Sequence, residues 1–449
     1  MTVLRLRRSK WRGPGGVFRS GIAGWLLATL GVVGFLGVGF LGLGGAGAAT
    51  LAASQPILTW STVPGAVHPP ALANASAAYD SDDGTVVLFG GEEAHGRLSD
   101  DTWVWNGSSW TGYPGKTVQA PPARQKASMA FDPDLHQLIL FGGADGAGQL
   151  FGDTWAWNGA SWYQVPPGLA SPTPRYGAAM AYDGSGDLVL FGGMGDASSG
   201  DASSGATSAA SASSTSVPAP PTSSVISTTA ATSANPVALD DTWLWTASGW
   251  LESNSTGPSA RSGAVMASNA AKHDAVLYGG QATQAGSAPP SPLSDTWTWN
   301  GSAWKRASPH ASPGPLDGAA LADDPMAGGV VLTGGLGAGG ASGGTWVWTG
   351  NNWARLSTSG APSPRTGAAA AYDTATGQVV LFGGKSPDNA GLDDTVTLSS
   401  GSSNSSPSTP GSSSAGTTAP VNGSGGSVRP GKTGSPSSVA GADSRAHRI

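Results

Sequence analysis

Four arginines carry the most specific chemistry in the chain. Arg124, Arg175, Arg261 and Arg365 each stand eight residues before an Asp or Asn (Asp132, Asp183, Asn269 and Asp373), and three of the four open an R-x-G triplet. A guanidinium fork matches the two oxygens of a carboxylate or phosphate in paired hydrogen bonds. The pattern therefore supports two readings, a ring of ligand-binding arginines for an anionic ligand or a set of salt bridges to nearby Asp side chains. A second recurring group, Asp101, Asp153, Asp241, Asp295 and Asp394, heads segments that begin D-T. Catalysis has no use for five copies of one acid, whereas an Asp that accepts backbone N–H bonds at a strand entry is needed in every copy. Glu92, Glu93, His95 and Arg97 form the one dense, non-repeated group of acid–base side chains, in a loop where solvated charge is the plainer reading. The chain has no Cys, which removes disulfides, thiolate zinc sites, cysteine nucleophiles and iron–sulfur clusters. Its six His (His68, His95, His136, His273, His310 and His447) are scattered singly. The acidic stretches Asp80–Gly84 and Asp183–Asp187 lack the distal Glu of a calcium loop and read as turns. No catalytic residue, metal or cofactor is expected from these observations.

The elements that must position these groups come from a repeat. An apolar run closed by a Gly pair occurs six times, at Gly90-Gly91, Gly142-Gly143, Gly192-Gly193, Gly279-Gly280, Gly334-Gly335 and Gly383-Gly384. Successive first glycines are 52, 50, 87, 55 and 49 residues apart, so the unit is one of fifty-odd residues with one long insertion. Ahead of each pair lies an Ala-rich strand ending at Asp80, Asp132, Asp183, Asn269, Asp324 or Asp373, at a near-constant spacing that specifies a hairpin. After it comes a second hairpin. In Trp103-Val104-Trp105 the two Trp share a strand face, and Asn106-Gly107 turns the chain back to Trp110. The N-x-S sequences at Asn106 and Asn300 coincide with such turns.

Each unit thus reads as four short antiparallel strands. A sheet of Trp, Val and Leu cannot cover both its faces alone, so neighbouring units must stack, and radial stacking gives an all-β, six-bladed propeller. The sixth unit lacks a closing Trp strand, while Pro56–Pro64 resembles the outer strands of the first two units. The N-terminal segment is therefore expected to supply the fourth strand of the last blade and close the ring. The repeated Trp are expected between blades, with an exposed platform for a sugar at Trp110 or Trp162 as the alternative.

The rest of the chain divides by composition. Residues 1–54 carry Arg5, Arg7, Arg8, Lys10, Arg12 and Arg19 ahead of an apolar run from Gly21 to Leu43, which reads as an export signal or a signal anchor helix. Ala46-Gly47-Ala48 supplies a pattern that a signal peptidase would cut, and both outcomes stand open. Residues 55–398 are the propeller, with a Ser/Ala/Thr-rich insertion at 194–238 expected to be disordered. Residues 399–449 are a Ser/Gly/Pro-rich tail, also expected to be disordered. The propeller segment holds 12 Lys plus Arg against 27 Asp plus Glu, and no nucleic-acid partner is expected of so acidic a segment.

The Gly pair ending the second strand, the aromatic third strand and the Trp of the fourth resemble the Kelch repeat. More narrowly, YD-x-x-x-G-x-V-V-L-F-G-G followed by D-D-T-W-x-W-N-G-x-x-W resembles the exported bacterial branch grouped with the central domain of galactose oxidase. That enzyme's cofactor needs a Cys cross-linked to a Tyr, which a chain without Cys cannot make. The resemblance implies that the R-x-G arginine opens the innermost strand near the channel mouth, where in some Kelch proteins it grips acidic ligands. The expected function is a noncatalytic extracytoplasmic recognition scaffold that binds a glycan, cell-wall polymer or protein at the propeller mouth. It would touch a membrane only through an uncleaved N-terminal segment. A sugar-modifying enzyme of epimerase or lyase type is the competing expectation, and a purely structural surface protein a third.

Overall fold

In this computed structural model the described residues are 58–65, 67–115, 119–196, 236–282 and 290–400. The chain separates into Met1–Ser54 and Gln55–Ile449, and the export segment lies in the first unit, outside the described residues. No helix among the described residues is long and apolar enough to cross a membrane.

The described residues form repeated four-stranded antiparallel sheets, the building units of a β-propeller. In the first, Ser76–Asp80, Thr85–Phe89, Thr102–Trp105 and Trp110–Tyr113 lie side by side in chain order. The next four repeats follow the same order. In the sixth, Ala369–Asp373, Gln378–Phe382 and Thr395–Ser400 are joined by Leu58–Thr62, which runs antiparallel to Thr395–Ser400 with Trp60 opposite Leu398.

The reason for the Gly pair is visible in its backbone. Both glycines have positive φ in every copy, 68° and 100° at Gly90 and Gly91. A Cβ on Gly90 would stand 2.6 Å from the carbonyl oxygen of Arg124, in the next repeat. The N–H of Gly91 donates to that same carbonyl at 2.9 Å. The bond recurs from Gly143 to Arg175, Gly193 to Arg261, Gly280 to Leu316, Gly335 to Arg365 and Gly384 to Leu72. Only glycine combines this φ with so close a backbone approach.

Between the sheets the core is continuous. Val87 and Phe89 of the first repeat pack with Leu140, Trp155 and Trp162 of the second, and similar clusters join each following pair. A further cluster joins Val86, Leu88 and Trp110 of the first repeat to Val380 and Phe382 of the sixth. The outer-strand Trp makes a polar contact as well. The indole N–H of Trp162 donates to Thr102 Oγ1 at 2.9 Å, in the preceding repeat. Trp250, Trp304 and Trp353 repeat this toward Thr154, Thr242 and Thr296. Trp110 donates to Thr395 of the sixth repeat, and Trp60 to Thr345 of the fifth. Trp60 therefore does for the sixth sheet what the fourth-strand Trp does for the others.

Three expectations need revision. The insertion at 194–238 begins and ends in strands, since Met194–Gly195 pairs with both Arg175–Tyr176 and Val237–Ala238, and only 197–235 lies outside the described residues. The tail begins later than 399, because Ser399 and Ser400 pair with Thr59 and Leu58; residues 401–449 lie outside the described residues. The backbone partners on the adjoining strand, invisible in the Ser-rich composition, extend both edges. Trp110 and Trp162 form no exposed platform: they are 5% and 1% exposed, held between sheets by packing and the indole bond.

Candidate functional site

The four repeated arginines are the largest polar side chains of the interior. Arg124, Arg175, Arg261 and Arg365 are each 1% exposed. Arg124 Nη1 donates to Asp153 Oδ1 at 2.6 Å and Nη2 to Asp153 Oδ2 at 2.9 Å, while Nη1 also reaches the carbonyl of Gly142 and Nε that of Pro122. Arg175 binds Asp241, Arg261 binds Asp295 and Arg365 binds Asp394 with the same fork-to-fork geometry. Burial pushes the Asp153 carboxyl up, but the Arg124 bonds and charge outweigh it and hold the group below its ordinary range. Asp295 behaves alike, with Arg261 and the indole of Trp297 opposing burial.

This answers one of the two readings of the arginine pattern. The guanidinium groups do not converge on an opening; each closes on the D-T Asp of its own repeat, and a ligand role would require breaking a buried pair. The sequence could not separate the readings, because they use the same two residue types. One signal was present: the fifth repeat has Leu316 in place of the Arg and Gly344 in place of the Asp, so the partners are lost together.

What does line the opening is the residue two positions on. Asn74, Lys126, Gly177, Gly263, Gly318 and Gly367 all have positive φ, between 55° and 66°. Their backbones form a cyclic chain of hydrogen bonds: Lys126 N–H to Asn74 at 2.9 Å, Gly177 to Lys126 at 2.8 Å, Gly263 to Gly177 at 2.9 Å, Gly318 to Gly263 at 3.1 Å, Gly367 to Gly318 at 2.8 Å and Asn74 back to Gly367 at 2.7 Å. Over this ring lies a cavity of about 340 Å³, lined by Asn74, Lys126, Tyr176, Gln281, Asp317 and Thr366 among others. Lys126 Nζ stands 5.5 Å from the centre of the Tyr176 ring. Burial, countered in part by Lys126 and the Gly318 N–H, pushes the Asp317 carboxyl up to about 6.

A family model, that of the KLHDC2/KLHL20/DRC7 Kelch-repeats domain, matches residues 55–203. Over that stretch the chain carries Kelch repeats. The curated proteins it resembles include tRNA wybutosine-synthesizing protein 4 of Aspergillus fumigatus, 31% identical over 116 residues, which are 25% of this chain and 11% of that protein. The same protein of Emericella nidulans is 30% identical over 125 residues, 26% of this chain and again 11% of the relative. The chain therefore spans about a tenth of the length of these relatives.

The other end of the channel differs in kind. There the inner strands finish in a cavity of about 320 Å³ lined by Tyr79, Phe131, Tyr182, Tyr372 and the Met129, Met180 and Met266 side chains. The acids of the Glu92–Arg97 loop are paired, one within the loop and one to the sixth repeat: Arg97 Nη2 meets Glu93 Oε1 at 2.6 Å, and Glu92 Oε1 accepts from Lys385 Nζ at 2.9 Å. The turn acids behave as turns. Asp132 Oδ1 accepts from the N–H groups of Asp134 and Leu135, and Asp324 and Asp373 repeat the contact. No group of three or more His, Cys, Asp or Glu able to hold a metal occurs among the described residues.

Proposed function

We propose that this Kelch protein is a noncatalytic, extracytoplasmic recognition scaffold: a six-bladed propeller, closed by Leu58–Thr62, that offers one channel mouth and its loops to a partner. Kelch repeats are protein-interaction scaffolds, and a protein is the partner this reading favours over a glycan or cell-wall polymer. One observation carries it. The polar groups that recur from sheet to sheet are engaged inside the fold, Arg with Asp and Trp with Thr, so recognition falls to the residues that do not repeat, which stand at the mouth and in the loops after the Gly pairs. The closed count of blades draws support from the cyclic backbone bonds and from Trp60. The location outside the cytoplasm draws support from the basic, then apolar, leader.

The test places a photo-crosslinking residue at Gly146, in a loop on the mouth side, and in a second protein at Asp83, in an opposite turn, in cells expressing the full chain. A partner captured from position 146 and not from 83 is the expected result, with protease reaching that loop in intact cells. Capture from neither, or turnover of a panel of acidic sugars by the purified chain, would replace the scaffold by the sugar-modifying reading.

A further inference from the structure

The channel mouth contains one carboxylate with a buried, unbonded oxygen and one cation out of its expected company. Asp317 Oδ1 is buried and makes no hydrogen bond, and Asp317 forms no ion pair among the described residues. Its oxygen occupies the space over Gly263, where a Cβ would collide with it. A carboxylate partly withdrawn from water with no direct ion pair is unfavourable, and a cation brought into contact with it offsets that cost. Lys126 holds a left-handed backbone, φ 55°, at a position where four other repeats have glycine. That conformation disfavours a non-glycine residue, and here it projects an ammonium into the mouth, near the Tyr176 ring and within electrostatic reach of Asp317.

We propose that this mouth is a cation-accepting subsite, in which Asp317 receives one guanidinium or ammonium side chain of a protein partner and the Tyr176 ring supports it, Lys126 being the internal placeholder that the incoming group displaces. The inference rests on the scaffold reading and names the chemistry of its partner. The cavity, about 340 Å³, lies at the small end of ligand pockets, which fits one extended side chain rather than a folded surface. Tyr176 offers the face that attracts a cation. The side chains lining the cavity that can carry charge are Lys126, Tyr176 and Asp317; Asn74, Ser262, Gln281 and Thr366 are neutral. Protonation of Asp317 as pH falls through about 6 removes the only anion among them.

The probe is Nα-acetyl-arginine methylamide, titrated into the full-length chain and followed by saturation-transfer NMR, with the citrulline analogue as the uncharged isostere. The arginine probe should bind saturably at pH 7.5 and the citrulline probe at least tenfold more weakly. Asp317→Asn should weaken the arginine probe at least tenfold without lowering the melting temperature. Lys126→Gly, which suits the left-handed backbone, should strengthen it severalfold, and lowering the pH to 5 should weaken it in the native chain but not in Asp317→Asn. Equal binding of arginine and citrulline, no saturable binding, or an unchanged affinity in Asp317→Asn overturns the subsite. If crosslinked capture at position 146 persists in any of those cases, the scaffold stands and the cation subsite alone is lost.

Discussion

The second and fifth repeats build one sheet from different chemistry. In the second, Arg124 and Asp153 form a bidentate pair with side chains 0% and 8% exposed, and Asp153 Oδ2 also accepts from the indole of Trp155 at 2.7 Å. In the fifth, Leu316 and Gly344 occupy those positions, Leu316 is buried, and the same four-stranded order results. What the two share is the inter-sheet Trp–Thr bond and the Gly-pair bond to the next repeat. The comparison teaches that the ion pair is one solution to filling the wall beside the Gly pair, and an apolar residue at the first position with a glycine at the second is another. Buried pairs are costly to break and cheap to replace as a unit. The first repeat shows the intermediate case. It has Leu72 with Asp101 retained, so Asp101 Oδ1 turns to the N–H of Gly115 and the Trp103 indole has no hydrogen-bond partner.

The shared features should be the least dispensable. Trp162→Ala and Trp353→Ala should each cost about 3–5 kcal/mol in chemical denaturation, because each empties an inter-sheet position and strands a Thr hydroxyl. A loss confined to the second repeat's Trp would break the equivalence of the two sheets.

Next comes the ion pair itself. Arg124→Ala should cost about 3–5 kcal/mol by leaving Asp153 buried and uncompensated, whereas Arg124→Leu combined with Asp153→Gly, the fifth repeat's own combination, should cost about 1 kcal/mol. If the double variant is as damaged as the single one, the repeats are not interchangeable.

Acid denaturation sharpens the same contrast. Asp153 and Asp295 are held below the ordinary value of 3.8, so their contribution is fully present above that value and is lost as pH falls through their folded pKa. The native chain should lose melting temperature below about pH 3.8, and the double variant should lose less of it over that range. Asp317 has the opposite sign. Raised to about 6, it favours the fold below the ordinary value of 3.8 and loses that contribution as pH rises through 6, so Asp317→Asn should raise the melting temperature at pH 7.5, by roughly 2–4 °C, and raise it less at pH 4.5. The smallest effect is expected from Leu72→Arg, which restores the missing partner of Asp101; a gain or loss within about 1 kcal/mol would match a site already satisfied by another route.

The sequence by itself determined the strands, the hairpins and the sheets they form. Period-two burial, the N-G turns and a Gly pair at fixed distance are local properties, and each acts within a few residues of its own position. It also placed Leu58–Thr62, because Trp60 repeats a pattern that the sixth unit lacks. The direction of the arginines was decided only by the tertiary structure. The carbonyl of Arg124 is fixed by the Gly91 N–H of another repeat, and that bond turns the guanidinium into the wall, toward Asp153, and away from the channel. The same cyclic register brings Lys126, Tyr176 and Asp317, from three different repeats, around one opening. No spacing along the chain encodes that meeting, since it depends on the closing of the backbone bonds from Asn74 to Gly367.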